Sequence, residues 1–169
     1  MTVRVLMTGM SGTGKSSVVR ELAARGYHAV DADDGWCVPT PDGRQIWDED
    51  AVEALLSDDA PGVLFFAGCE ENMARFLPRF HHVVLLTAPV DVVLERLATR
   101  TDNPFGKTAE ERHRVLEDLE HIEPRLRAVA DHEVQTTGPL ADVVAEVLAL
   151  VGERPVRPAD RPLAARSEA

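Results

Sequence analysis

Cysteine is scarce in this chain, and so are cations, aromatic rings and long apolar runs; each shortage removes a class of protein. The two cysteines, Cys37 and Cys69, stand in unlike contexts with no CxxC or Cys/His spacing, so neither a disulfide framework nor a zinc site is expected and both thiols should be reduced. Lys and Arg number 18 against 29 Asp and Glu, a formal net charge of −11. Polyanions are held by clustered Lys and Arg, so no nucleic acid and no anionic membrane is the expected partner. No stretch approaches the ~20 apolar residues that span a bilayer, and Met1 leads straight into a strand-like segment without a basic, then apolar, leader. A cytoplasmic location is the expectation. With 169 residues, 44% of them apolar, the chain can bury one core and is too short for two ordinary domains. Monomer and homodimer are both open.

What is present is an alternation of strands and helices. Val3 to Thr8 reads as a buried strand, and Lys15 to Arg25 as a helix capped by Gly26. Tyr27 to Val30 is a second strand ending in Asp31-Ala32-Asp33-Asp34, after which Gly35, Pro39, Pro41 and Gly43 imply an irregular stretch. Glu49 to Ser57 is a helix, Val63 to Ala67 a strand and Glu70 to Leu77 a short helix. His82 to Thr87 is a strand, and Val90 to Arg100 a helix broken by Thr101 to Gly106. A long charged helix is expected from about Ala109 to Ala130, with Val115, Leu119, Ile122 and Leu126 as its apolar stripe. Glu133 to Gln135 is a fifth strand, and Leu140 to Val151 the last helix. Beyond it, residues 152–169 lack periodicity and read as a disordered tail. Nearly continuous apolar strands alternating with helices indicate a parallel five-stranded sheet covered on both faces, a three-layer α/β/α domain over residues 1–151.

The strongest signal is Gly9-Met10-Ser11-Gly12-Thr13-Gly14-Lys15-Ser16, followed by Ser17, lying between a buried strand and a helix. It fits the Walker A pattern at every fixed position. The glycines let backbone N–H groups and the positive helix end surround phosphate oxygens. Lys15 is expected to bridge the β- and γ-phosphates of a nucleoside triphosphate, and the Ser16 hydroxyl to ligate Mg²⁺. Asp31 and Asp33 end the second strand and face the same crevice. One carboxylate can hold Mg²⁺ and the other can position a substrate hydroxyl or take its proton.

In these features the chain resembles the small P-loop kinases typified by shikimate kinase, gluconate kinase and the nucleoside monophosphate kinases. The resemblance also rests on Leu94-Glu95-Arg96-Leu97 before a lid-like break and on Val129-Ala130-Asp131 leading through Glu133-Val134-Gln135-Thr136 to the last helix. It implies a sheet in the order 2-3-1-4-5, a short lid near residues 100–112, and transfer of the ATP γ-phosphate to a small-molecule hydroxyl or phosphate. It further implies that Gly9 through Ser17, Arg100 and, on the adenine side, Thr137 contact ATP. Ser16 and Asp31 then lie on the Mg²⁺ side, Asp33 on the acceptor side, and Arg96 and Arg100 at the lid, where either can neutralise charge on the transferred phosphoryl group. The alternative for the two arginines is service to the dipole at the end of their helix.

The chain also departs from that family. Shikimate kinase has a glycine triplet after strand three; here Ala67-Gly68-Cys69 precedes Glu70, Glu71 and Asn72, and the family's late substrate-binding arginine falls near Ile122. Both departures argue against shikimate, and the acceptor pocket is expected from the loop 35–47, residues 68–72 and the lid. Trp36 and Trp47 either stack on a substrate ring or plug the core. The acidic loop leans toward a neutral or cationic acceptor. Other P-loop functions fit less well: no Asn-Lys-x-Asp guanine signature is present, and an AAA-type motor needs a helical subdomain for which there is no room. A nucleotide-binding ATPase or regulatory protein without kinase activity is the remaining alternative.

Overall fold

In the computed structural model, which describes residues 1–152, strand β1 (Thr2–Thr8) runs through the P-loop into α1 (Lys15–Ala24) and back to β2 (His28–Asp31). A hairpin of β3 (Cys37–Pro39) and β4 (Gln45–Trp47) precedes α2 (Glu49–Ser57), β5 (Gly62–Ala67) and α3 (Met73–Phe76). A 3₁₀ turn (Leu77–Arg79) leads to β6 (His82–Thr87), α4 (Val90–Thr99), α5 (Ala109–His121), α6 (Glu123–Val129), β7 (His132–Gln135) and α7 (Leu140–Leu150). The large sheet runs β2-β5-β1-β6-β7, every pairing parallel. Counting only its own strands in chain order, this is 2-3-1-4-5. The expected tail falls on residues 153–169, outside the described residues.

Alternate residues of each central strand feed two cores, which is why these strands are apolar on both faces. Val5 and Met7 of β1 join Val18, Leu22, Val144 and Val147 beneath α1 and α7. Leu6 joins Trp47, Val52, Leu56, Phe66, Phe76 and Leu126 beneath α2, α3 and α6. A smaller cluster, Val93, Leu97 and Val115, packs α4 against α5.

Three expectations are corrected. The stretch after β2 is not irregular: Cys37, Val38 and Pro39 pair antiparallel with Trp47, Ile46 and Gln45. Both strands of a two-stranded sheet are edges, so Pro39 removes no needed ladder bond. The hairpin is clamped by Asn72, whose side chain accepts from Trp47 N and donates to Trp47 O, both at 3.0 Å. Second, the long helix after residue 109 is two helices that break at Ile122. Pro124 lacks the N–H that would bond Glu120 O, and its ring would crowd that carbonyl; at the first turn of α6 it costs nothing. The helix expected over 70–77 shortens to one turn plus the 3₁₀ turn.

Candidate active site

The P-loop passes under the ends of β1, β5 and β6, where the fan of parallel strands opens a crevice. Gly9 has φ +153°, and a Cβ there would stand 2.4 Å from Leu86 O, so only glycine lets the loop leave β1 this close to β6. At Gly12 (φ +81°) a Cβ would stand 3.1 Å from side-chain carbons of both Val93 and Leu97 of α4. At the head of α1 no side chain caps the helix, and the helical ladder begins with Val18 N donating to Gly14 O at 3.1 Å. The preceding amides are therefore available to an anion.

A cleft of about 670 Å³ opens over this cradle. Ser11, Gly12, Gly14, Lys15, Ser16 and Ser17 form its floor, with Asp31 and Asp33 at one end and Arg96, Arg100 and Thr136 along the α4 side. The remaining P-loop residues lie beneath. Thr13 is fully buried and donates to Met10 O at 2.7 Å, while Gly9 O and Met10 O accept from Lys15 Nζ at 2.5 and 3.0 Å. Burial lowers the pKa of Lys15, opposed by Cys69, Asp33 and Asp31. Ser16 Oγ donates to Asp31 Oδ2 at 2.5 Å, which puts two hard oxygen donors side by side, the donor type that Mg²⁺ selects. Asp33 reaches into the cleft mouth. Crowding by protein and repulsion from Asp31 raise its carboxyl, and Lys15 and Arg100 pull it back.

The two arginines differ in what holds them. Arg96 Nη1 donates to Gly12 O (3.3 Å) and Thr136 Oγ1 (2.9 Å), and Nη2 to Thr136 O at 2.5 Å. Thr136 Oγ1 in turn donates to Thr13 O at 2.6 Å. This knot ties α4, the P-loop and the end of β7 together. Arg100 donates to Phe105 O at 2.9 Å and has a buried Nε with no partner. Thr137, which the resemblance implied, is exposed and off the cleft; its buried neighbour Thr136 lines it. The resemblance marked the segment that holds Thr136 but not this role, because its partners Thr13 and Arg96 are 123 and 40 positions away.

Beside Asp33 the hairpin and the segment after β5 come together. Trp47 is fully buried against Phe66 and Phe76, a plug over the core and no stacking surface. Trp36 packs edge-on against Phe66 and is half-buried. Asp33, Cys37 and Glu70 each bring a ligand atom within 4.8 Å of the others, a convergence that the cysteine spacing did not reveal. The Cys37 thiol is pushed up to about 12 by burial and then by Glu70, Asp33 and Asp31. Burial likewise raises Glu70 and Cys69.

A family model described as an AAA domain matches residues 5–117. A shikimate kinase from Halorhodospira halophila is 30% identical, the match covering 89% of this chain and 94% of the relative. The chain belongs to the P-loop small-molecule kinases of this AAA-domain family. Shikimate kinase from Acinetobacter baumannii in complex with shikimate superposes on this kinase with a TM-score of 0.65 at 21% identity, covering 89% of this chain and 93% of that one. A gluconokinase from Sinorhizobium meliloti does so with a TM-score of 0.63 at 24% identity, covering 89% and 91%. These two likenesses show the shared fold. The described residues contain the single α/β/α sandwich and no added helical subdomain. No helix among them is long and apolar enough to cross a membrane.

Proposed function

We propose that this protein transfers the γ-phosphate of ATP to a hydroxyl of a small molecule, with Mg²⁺ at Ser16 and Asp31. The observation that carries the reading is the pairing of an uncapped α1 terminus and Lys15 with a carboxylate, Asp33, across one cleft. Lys15 exchanges its bonds to Gly9 O and Met10 O for phosphate oxygens, and burial strengthens that contact by excluding water. Mg²⁺, when bound, neutralises charge on the phosphates and orients them. Asp33 accepts the hydroxyl proton, and its raised pKa suits a base that must hold a proton briefly.

The arginines take separate roles. Arg100 lines the cleft with Asp102 and Asn103 and faces the charge that develops during transfer. Arg96 is engaged by Gly12 and Thr136, so it sets the position of the P-loop and is assigned no contact with the reacting atoms.

The test is ADP release by the full chain with sugars, nucleosides and amino alcohols as acceptors, beside a Lys15→Ala control and an Asp31→Asn/Asp33→Asn double variant. A kinase loses turnover in both, by roughly 10²-fold or more in the double variant, while the double variant still binds ATP. Background rates with every acceptor, unchanged by either substitution, would refute the reading and leave a nucleotide-binding protein.

A further inference from the structure

The acceptor wall is chemically lopsided. Asp33 lies in the turn after β2, Cys37 opens the hairpin, and Glu70 follows β5, yet one ligand atom from each falls within 4.8 Å of the others. The charges that act on Glu70 are those of Asp33, Glu71 and Lys15. Those acting on Cys37 are Glu70, Asp33 and Asp31, and Asp118 adds its charge near Cys69. The hairpin's own cation, Arg44, is engaged by Asp42 at 2.7 Å and by Glu71. Arg75 and Arg79 are engaged by Glu49 and Glu53. Lys15 and Arg100 act on Asp33, but both line the phosphate side of the cleft. An acceptor carboxylate or phosphate would thus meet carboxylates, while the guanidinium groups of Arg44, Arg75 and Arg79 are already engaged.

A buried nitrogen without a partner, Trp47 Nε1, lies below this wall. Trp47 Nε1 lies where a Cβ on Gly68 would approach to 2.9 Å, beside Ala32 and directly under the turn that carries Asp33. Buried donors left unmet at a site are the kind that ligand oxygens satisfy.

We propose that the acceptor is a vicinal amino alcohol of the amino sugar or aminocyclitol class, its hydroxyl held by Asp33 and its adjacent ammonium by Glu70. This rests on the kinase reading above and names the substrate class of that same site. Hydroxyl and ammonium on neighbouring carbons lie about one hydrogen-bond length apart when gauche. One such pair therefore fits two carboxylate oxygens no more than 4.8 Å apart. A single alcohol would leave Glu70 ionised, half-buried and opposed by Asp33 and Glu71. An ammonium there relieves the burial and repulsion that hold this carboxyl above its usual range. In the transfer step the acceptor oxygen forms its bond to Pγ as the bond from Pγ to the β–γ bridging oxygen breaks. The hydroxyl proton passes to Asp33, and ADP leaves.

The experiment measures ADP release by the full chain with ATP and Mg²⁺. The probes are glucosamine and 2-deoxystreptamine as amines, N-acetylglucosamine and glucose as neutral counterparts, and gluconate as an acid. The expected result is a kcat/KM for at least one amine about tenfold or more above every neutral and acidic probe, as one charge-assisted contact implies. Glu70→Gln then raises KM for the amine more than it lowers kcat and narrows the preference over N-acetylglucosamine by about tenfold. A neutral or acidic probe used as well as the amines would overturn the inference and leave the kinase reading intact. An amine preference that survives Glu70→Gln would overturn it in the same way. No probe rising above the Lys15→Ala background would overturn both.

Discussion

Thr136→Val is the sharpest probe of how this site is held together. Thr136 is 6% exposed, and its hydroxyl both donates to Thr13 O at 2.6 Å and accepts from Arg96 Nη1 at 2.9 Å. Valine fills the same volume without the oxygen, so the Thr13 carbonyl is orphaned in the core and Arg96 loses one partner while keeping Gly12 O and Thr136 O. An unmet buried acceptor costs ~1–3 kcal/mol, and the weakened arginine bond adds ~1 kcal/mol. The sum is about 2–4 kcal/mol. With a urea slope near 2 kcal/mol/M for a domain of this size, the unfolding midpoint should fall by about 1–2 M. Thr136→Ser keeps the hydroxyl and loses one methyl, which costs ~1 kcal/mol, or about 0.5 M. Because Thr13 O lies in the P-loop, Thr136→Val should also raise KM for ATP while Thr136→Ser should not. Urea titration followed by circular dichroism reads the first effect, and initial rates read the second. A valine variant within ~0.3 M of the wild type, or a serine variant as unstable as the valine one, would show that the knot carries no weight.

Gly68→Ala would set a Cβ 2.8 Å from Ala32 Cβ and 2.9 Å from Trp47 Nε1; overpacking of this sort costs ~1–3 kcal/mol, and calorimetry should find a lower Tm together with a lower kcat as the Asp33 turn is pushed outward. Cys37, with a pKa of about 12, should be alkylated by iodoacetamide at pH 8 roughly a thousandfold more slowly than free cysteine, since only the thiolate reacts; complete modification of the native protein within minutes would contradict the burial. Glu70 has a folded pKa above its unfolded value, so its ionised form costs stability above the folded pKa, and that cost disappears below the unfolded one. Glu70→Gln, which can keep the bond from Gln45 Nε2 (3.0 Å), should therefore melt above the wild type at pH 8, and the gap should close as pH falls to 4. A gap independent of pH would count against the repulsion described here.

How much was legible in the residue string depended on how local each cause is. The phosphate cradle was, because a strand, a glycine loop and Lys15-Ser16 are contiguous and their chemistry follows from spacing. The alternation of strands and helices, the pairing of Asp31 and Asp33, and the 2-3-1-4-5 order implied by the family resemblance were legible for similar reasons. Pro124 was visible too, yet the apolar stripe from Val115 to Leu126 masked the break it imposes, because the stripe stays packed across it, Val115 on α4 and Leu119, Ile122 and Leu126 on the core beneath α6. The hairpin was hidden by its prolines, which an isolated two-stranded ribbon tolerates at its edges.

By itself, then, the sequence determined the fold class and the place of the P-loop cradle proposed for a triphosphate, since both rest on short-range periodicity and backbone freedom. Tertiary structure alone decided that Arg96 is anchored by Thr136 while Arg100 faces the cleft, that Trp47 is a plug, and that Asp33, Cys37 and Glu70 share one wall. Those outcomes depend on which distant segments a parallel sheet brings to its carboxyl edge. Local pattern carries no record of such distances, because the contacts between segments are made only when two apolar faces close over the strands.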